Sequence, residues 1–207
     1  MHIEKNVCDN VLFTLLGIPG KSKDSLKARK DLEEIRVRKA LHPQPRGSCK
    51  VYLPPACFTM DKNDKDIFCN VLKGVKVPDG YSSNISRCMH LKERSIWGLK
   101  SYDSHILMQQ LLPLAIRRAL PKNVVEALIE LTNFFRQLCS KVNTTSDLEK
   151  IQDRIAITLC SLEKIFPPAF FDIMEHLPIH LADEALIAGA IQFRWMYPIE
   201  RYQCIFK

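Results

Sequence analysis

The stretch that decides the fold is Ser146-Asp-Leu-Glu-Lys-Ile-Gln-Asp-Arg-Ile-Ala-Ile-Thr-Leu-Cys-Ser-Leu-Glu-Lys-Ile-Phe-Pro-Pro168. Its apolar side chains recur every three or four residues, which is the spacing of one face of an α-helix. They are Leu148, Ile151, Ile155, Leu159, Leu162 and Phe166. Ser146 and Glu149 have the spacing of a capping box, and the two prolines end the repeat. The stretch therefore predicts a helix with one buried face.

Similar helices are predicted on both sides of this stretch. Residues 103–120 have a helical apolar pattern that Pro113 should kink. A second helix should start at Pro121, because its apolar side chains also recur every three or four residues. They are Val124, Leu128, Leu131, Phe135 and Leu138. With a further short helix at 169–177, the short connections predict a helical bundle over 101–181.

The first half of the chain gives weaker signals. Helices are predicted at 3–16, at 23–39 with Ser22 as the N-cap, and at 61–72. Prolines and glycines predict a linker, an extended piece, a turn and a loop in the remaining segments. These are 42–48, 50–58, 78–81 and 82–100. The predicted fold class is mainly α, with a helical bundle in the second half and a less regular, loop-rich first half.

Composition narrows the class of protein. The chain has 207 residues, of which 46% are hydrophobic and 26% are charged, as in globular proteins. The longest uncharged run within a strong apolar pattern, Ser104–Ile116, is shorter than the roughly 20 residues that a membrane helix needs. The first residues lack the apolar segment of a secretory signal. We therefore expect a soluble intracellular protein whose eight cysteines are reduced.

The positive charge is concentrated in one segment. The net charge is +7, and residues 21–50 contain ten basic and four acidic side chains. Such a segment is typical of a surface that contacts nucleic acid or another polyanion, and a solvated helix face is the alternative. The candidate DNA contacts are Lys21, Lys23, Lys27, Arg29, Lys30, Arg36, Arg38 and Lys39. Residues 193–202 also mix aromatic and basic side chains, which suits either base stacking or the start of an amphipathic helix.

The sequence offers weak motifs for other chemistry. Residues 17–22 end in Gly-Lys-Ser but lack the glycine spacing of a phosphate-binding loop. His176 and His180 have a spacing that can bind zinc, although Pro178 lies between them and Glu184 is only a possible third ligand. We therefore predict no cofactor, no metal site and no small-molecule substrate.

Two groups of motifs, spread over nearly the whole chain, carry a family resemblance. The first is Met1-His-Ile-Glu-Lys-Asn-Val-Cys-Asp-Asn-Val-Leu12. The second group comprises residues 52–56, 75–88, 98–101, 107–113, 166–174, 176–181 and 194–202. The first group resembles the C-terminal edge of the catalytic domain in transposases of plant CACTA (En/Spm-type) DNA transposons. The second group resembles the domain of unknown function that follows that catalytic domain.

The resemblance implies a domain organisation and an activity. It implies a helical remnant of the catalytic domain at 1–41, a linker at 42–50 and a transposase-associated helical domain, truncated at its C-terminus, at 51–207. Such transposases resemble enzymes that hold two divalent metals with three carboxylates. The aspartates of that set would lie upstream of Met1, and Glu4 is at most one remaining member. The chain is therefore expected not to be an enzyme.

The function that the resemblance implies is that of an accessory domain. The chain is expected to be a truncated, transposase-derived and non-catalytic domain that contacts DNA or transposase subunits, in the nucleus if it is functional. The alternative is a helical protein-interaction module with no nucleic-acid role. No membrane partner is expected in either case.

Overall fold

The chain is mainly α-helical, as the sequence predicts. A computed structural model describes residues 2–47, 50–76 and 85–194. The α-helices are α1 (His2–Leu16), α2 (Leu26–Glu34), α3 (Lys62–Gly74), α4 (Ser101–Ile106), α5 (Leu112–Ile116), α6 (Lys122–Leu138), α7 (Thr145–Glu163), α8 (Ile173–His176) and α9 (Pro178–Ala188). Four short strands form two antiparallel hairpins, and these are β1 (Gln44–Arg46) with β2 (Lys50–Tyr52) and β3 (Met89–His90) with β4 (Ser95–Ile96).

Helices α6, α7 and α9 form the bundle predicted for the second half. Helix α7 packs against both α6 and α9. The predicted apolar face of α6 is buried along its whole length, and that of α7 is buried except at Leu159, which is half-buried. The hydrophobic effect of these two faces is the main force that holds the bundle together.

The start of α7 differs from the prediction by two residues. Thr144 Oγ1 accepts a hydrogen bond from the Asp147 amide at 3.2 Å, and the Asp147 carboxylate accepts one from the Thr144 amide at 3.2 Å. This capping box replaces the one predicted at Ser146 and Glu149. Since both pairs have the same spacing, the sequence pattern alone cannot choose between them.

A π-helical turn interrupts the helix predicted at 103–120. This turn spans Leu107–Leu111 and joins α4 to α5. Pro113 lies just after it, in the first turn of α5, where the missing amide hydrogen costs little. The predicted irregularity is therefore present, and it takes the form of an extra residue in the turn before the proline.

Helix α1 agrees with its prediction, whereas α2 is shorter than predicted. Ser25, rather than Ser22, is the N-cap of α2, and its Oγ accepts a hydrogen bond from the Ala28 amide at 3.2 Å. The helix ends at Glu34 instead of residue 39. Arg36 (φ 59°) and Arg38 (φ 49°) adopt left-handed backbone conformations, which an α-helix cannot accommodate.

The predicted linker at 42–48 contains a strand. Pro45 in β1 lies opposite Val51 in β2, and every residue of these two strands is exposed. A proline is tolerated here because both strands are edge strands. The predicted loop at 82–100 contains the β3–β4 hairpin, and the turn predicted at 78–81 lies outside the described residues.

Apolar side chains from both halves of the chain meet in one core. Members of this core include Val11 in α1, Phe68 in α3, Leu112 in α5, Leu128 in α6 and Ile155 in α7. Helix α1 contacts α4 and α8, which are far from it in the sequence. The helix predicted at 169–177 is replaced by a 3-10 turn and α8, and α9 follows. A search of the described helices for one that is long and apolar enough to span a bilayer finds none.

Candidate nucleic-acid interface

The basic segment, residues 21–50, follows α1, contains α2 and β1, and ends at the first residue of β2. Five of its eight candidate side chains are exposed to solvent, namely Lys21, Lys27, Lys30, Arg36 and Lys39. None of these five forms an ion pair with a carboxylate among residues 2–47, 50–76 and 85–194. Their charges are therefore available to a polyanion.

Arg29 is not available to a polyanion, because its side chain is buried. Only 1% of the residue is exposed, and its guanidinium forms two hydrogen bonds with the Asp24 carboxylate, the longer of them 2.8 Å. A third hydrogen bond joins Arg29 Nη1 to the Leu41 carbonyl oxygen at 3.2 Å. This arginine fixes the inner face of α2 to the chain on either side of it. The prediction that Arg29 contacts DNA does not agree with its burial, and its role is structural.

Lys23 and Arg38 also contact the protein itself. Lys23 Nζ lies 2.7 Å from Asp172 Oδ2. Arg38 donates hydrogen bonds to the carbonyl oxygens at the end of α7, at 3.1 Å for Ile165 and 2.8 Å for Phe166. Partial burial lowers the pKa of the Arg38 guanidinium from its usual value. These two cations hold the basic segment against the second half of the chain.

Two aromatic rings lie beneath the Lys21 ammonium group. Lys21 Nζ is 4.2 Å from the centroid of the Trp97 ring and 4.7 Å from that of Phe13, which is the geometry of cation–π contacts. The Trp97 indole N–H donates to Ser95 Oγ at 3.0 Å, and 37% of this tryptophan is exposed. The sequence analysis missed Trp97, because nothing in the local pattern places residue 97 beside residue 21.

The β1–β2 hairpin adds a second basic and aromatic pair. The Arg46 guanidinium carbon lies 5.9 Å from the centroid of the Tyr52 ring, and both side chains are exposed. Cations beside aromatic rings can contact phosphates and stacked bases together. Arg46 belongs to the same basic segment, so the hairpin extends the candidate interface beyond Lys39.

Glu4 lies inside the protein. Only 3% of the residue is exposed, and both carboxylate oxygens have partners. Oε1 accepts a hydrogen bond from Gln109 Nε2 at 2.7 Å, and Oε2 lies 2.8 Å from His105 Nδ1. Cys139 completes this cluster, in which potential ligand atoms of Glu4, His105 and Cys139 lie within 4.8 Å of one another. Burial, with a contribution from the Glu4 charge, raises the pKa of the Cys139 thiol to about 12.

His176 and His180 lie on the surface. Their rings contact each other edge to face, with the centroids 5.4 Å apart, and both residues are exposed. Glu184, the suggested third ligand, is exposed on α9. Within the described part of the chain, no group of three potential metal ligands includes any of these residues.

A pair of carboxyl groups joins α1, the basic segment and α8. Glu175 is buried, and its pKa is raised to about 8 by burial and by the adjacent Asp172. The pKa of Asp172 is lowered, and the interaction with Glu175 is the largest cause. The Lys23 ammonium group and the Met174 amide lower this pKa further, whereas partial burial acts in the opposite direction. Asn10 donates hydrogen bonds to both carboxyl groups. These pKa changes favour a protonated Glu175 beside an ionised Asp172.

The fold and this surface define a mainly α-helical protein that carries an exposed basic segment on its N-terminal side. Residues 138–207 match the family model that is described as a domain of unknown function, DUF4218. This segment includes α7, α8 and α9, and therefore Asp172 and the carbonyl groups that Arg38 contacts. No curated protein matches the chain significantly, and no solved structure does either.

Proposed function

We propose that the chain is a non-catalytic accessory domain, derived from a CACTA-type transposase, that contacts DNA through its exposed basic segment. The observation that carries this proposal is the set of exposed cations without carboxylate partners in the described chain, which are Lys21, Lys27, Lys30, Arg36 and Lys39. DNA affinity comes largely from cations that neutralise phosphates. The nucleus is the compartment in which this contact would take place.

The anchoring of the basic segment supports the proposal. Lys23 and Arg38 fix this segment to the body of the protein, and Arg29 joins α2 to the chain on either side of it. The remaining cations therefore project from an ordered surface. An ordered surface loses less conformational entropy when it binds than a flexible one does. Trp97 and Tyr52 place partly exposed aromatic faces beside two of the cations.

The non-catalytic part of the proposal rests on Glu4. Two-metal strand transfer needs carboxylates that can reach both the metal ions and the substrate. The Glu4 carboxylate is instead enclosed by His105 and Gln109. Its position favours a structural role over contact with a DNA strand.

DNA binding is tested by fluorescence anisotropy of a labelled duplex over a series of salt concentrations. The logarithm of the association constant should fall linearly with the logarithm of the salt concentration, by roughly 0.9 for each phosphate neutralised. The variant Lys27→Gln/Lys30→Gln/Lys39→Gln removes three exposed charges without altering the anchoring residues. This variant should bind DNA more weakly. The slope of the logarithm of its association constant against the logarithm of the salt concentration should be smaller, by up to roughly 0.9 for each lost phosphate contact.

The matched control is Lys141→Gln/Lys150→Gln/Lys164→Gln. It removes the same number of exposed lysines from the second half of the chain, and it should retain the affinity of the unchanged protein. Equal losses in the two variants would indicate non-specific attraction to net charge. Absence of binding at low salt would contradict the DNA contact and leave the helical protein-interaction module as the remaining function.

The transposase origin is tested separately, by sequencing the transcript on the 5′ side of the Met1 codon. An in-frame extension with two metal-binding aspartates would support the derivation from a transposase. An extension that encodes an unrelated domain would contradict it, whatever the outcome of the DNA measurements.

A further inference from the structure

The junction of α1, α4 and α6 brings three different ligand types together inside the protein. Glu4 comes from the first turn of α1, His105 from α4, and Cys139 from the end of α6. Their potential ligand atoms all lie within 4.8 Å of one another. Zinc bonds of about 2.0–2.3 Å place tetrahedral ligand atoms about 3.3–3.8 Å apart, so side-chain shifts of about 1 Å would let these three groups hold one ion.

The polar atoms around this cluster are arranged to support a cation. Gln109 Nε2 donates to Glu4 Oε1 at 2.7 Å and to the Phe135 carbonyl oxygen at 3.2 Å, and it also lies 3.1 Å from His105 Nδ1. Gln109 therefore fixes one carboxylate oxygen and leaves the other directed at the histidine. Metal-binding carboxylates usually have such a supporting hydrogen bond. Gln109 belongs to the π-helical turn, a feature that often occurs at functional sites.

The charge of the cluster suits a divalent ion. A carboxylate, a thiolate and a neutral imidazole carry two negative charges in total, so a zinc ion makes the group neutral. Neutrality matters here, because Glu4 and His105 are buried and an uncompensated charge is costly in that environment. Cys139 is only partly buried, which leaves a route by which an ion and a water ligand can enter.

We propose that Glu4, His105 and Cys139 hold a zinc ion, with water as the fourth ligand, that joins α1, α4 and α6. The mixed oxygen, nitrogen and sulfur donors favour zinc over magnesium or calcium, which prefer oxygen ligands alone. Zinc displaces the thiol proton of Cys139 and replaces the hydrogen bond between Glu4 Oε2 and His105 Nδ1 with bonds to the metal. The thiol proton is released to solvent, and the ion keeps its oxidation state. This inference is independent of the proposed DNA contact.

The test uses the 207-residue chain after removal of metal with a chelator, and Co²⁺ as a spectroscopic substitute for zinc. One Co²⁺ per chain should produce a thiolate-to-cobalt charge-transfer band, and added Zn²⁺ should abolish it. Cys139→Ser should remove the band, and Glu4→Gln should weaken Co²⁺ binding at least tenfold. Affinity should also fall as the pH is lowered, since protons compete for two of the ligands.

Controls separate this site from adventitious thiol binding. Cys160→Ser changes an exposed cysteine on α7 that lies outside the cluster, and it should leave the band and the affinity unchanged. Thermal unfolding of each metal-free variant checks that the fold is retained. If Cys139→Ser unfolds, equilibrium dialysis of Co²⁺ with His105→Gln decides the question. A band that survives in Cys139→Ser, or unchanged binding in Glu4→Gln and His105→Gln, would overturn the proposal.

Discussion

Lys23 Nζ lies 2.7 Å from Asp172 Oδ2, so an ion pair joins two residues that are 149 positions apart. Asp172 is also the N-cap of α8, and its Oδ1 accepts a hydrogen bond from the Met174 amide at 2.8 Å. Together with the contacts of Arg38 at the end of α7, this pair attaches the basic segment to the helical bundle at two points. The cations of the basic segment therefore have two different roles. Lys23 and Arg38 hold the segment in place, whereas exposed cations such as Lys30 face the solvent.

Replacing Arg38 should destabilise the fold. Arg38→Ala removes the donors for the carbonyl groups of Glu163, Ile165 and Phe166, and charged hydrogen bonds of this kind contribute about 1.5–3 kcal/mol. Urea unfolding should therefore show a loss of that size. Arg36→Ala is a matched control, because Arg36 also has a left-handed backbone but is exposed, and its effect should stay within about 0.5 kcal/mol. Equal effects would show that the backbone, rather than the hydrogen bonds, determines the cost.

The carboxyl pair should make stability depend on pH. The folded protein raises the pKa of Glu175 from its ordinary value near 4.5 to about 8. Between these values the folded state retains a proton that the unfolded state has released. The contribution of Glu175 to the free energy of unfolding is therefore fully present below about pH 4.5, and it is lost as the pH rises towards 8. Asp172 acts in the opposite direction in acid, because its pKa is lowered.

The variant Glu175→Gln should remove this dependence. Its amide is neutral at every pH, and it has no proton to lose between pH 4.5 and 8. Urea unfolding at a series of pH values should give a flatter profile than that of the unchanged protein. Glu184→Gln, a change at an exposed position on α9, should retain the original slope. A slope that persists in Glu175→Gln would assign the dependence to another group.

The apolar face of α7 should carry much of the stability of the bundle. Leu162 is 1% exposed, so Leu162→Ala should cost about 2–5 kcal/mol in the free energy of unfolding. Leu159 lies on the same predicted face but is half-buried, and Leu159→Ala should cost less. Ile157, which is 68% exposed on the same helix, provides the control, and Ile157→Ala should change stability by under about 0.5 kcal/mol. A reversed order of the three costs would contradict the orientation of α7.

The contact between Lys21 and Trp97 should be measurable as a coupling free energy. A double-mutant cycle of Lys21→Met and Trp97→Leu should give about 0.5–1 kcal/mol, the value typical of an exposed cation–π pair. The same cycle with Lys27→Met in place of Lys21→Met should give none, since Lys27 contacts no aromatic ring within the described residues. A coupling near zero for both lysines would show that Lys21 does not rest on Trp97 in solution.

The sequence predicted the elements that depend on a strong local pattern. The apolar faces of α6 and α7 lie where the three-four spacing placed them, because burial of one helix face imposes that period on the sequence. Helix boundaries were predicted less well where two side chains could serve as the cap. Ser22, for example, accepts a hydrogen bond from the Asp24 amide in a turn, and Ser25 caps α2 instead. Both serines fit the pattern, and only tertiary packing distinguishes them.

The candidate site was predicted less completely than the fold. Charge counting identified the basic segment, but it could not separate the buried Arg29 from the exposed Lys30 beside it. Arg29 is held by Asp24 and by the Leu41 carbonyl group, whose roles the composition of the segment does not indicate. The partners of Lys23 and Arg38, which are Asp172 and the carbonyl groups at the end of α7, are more than 100 positions away. Trp97 and the cluster around Glu4 were missed for the same reason. Contacts of such long range leave no periodic trace in a single sequence.

The position of α6 has a consequence for how this protein could exchange parts during evolution. The segment that matches DUF4218 begins at residue 138, where α6 ends, yet the buried face of α7 packs on α6. A recombination event at that boundary would separate two halves of one core and expose apolar side chains such as Ile151 and Ile155. The smallest segment that could be transferred to another gene with its core intact must therefore include α6. This segment is longer than residues 138–207, which match the family model.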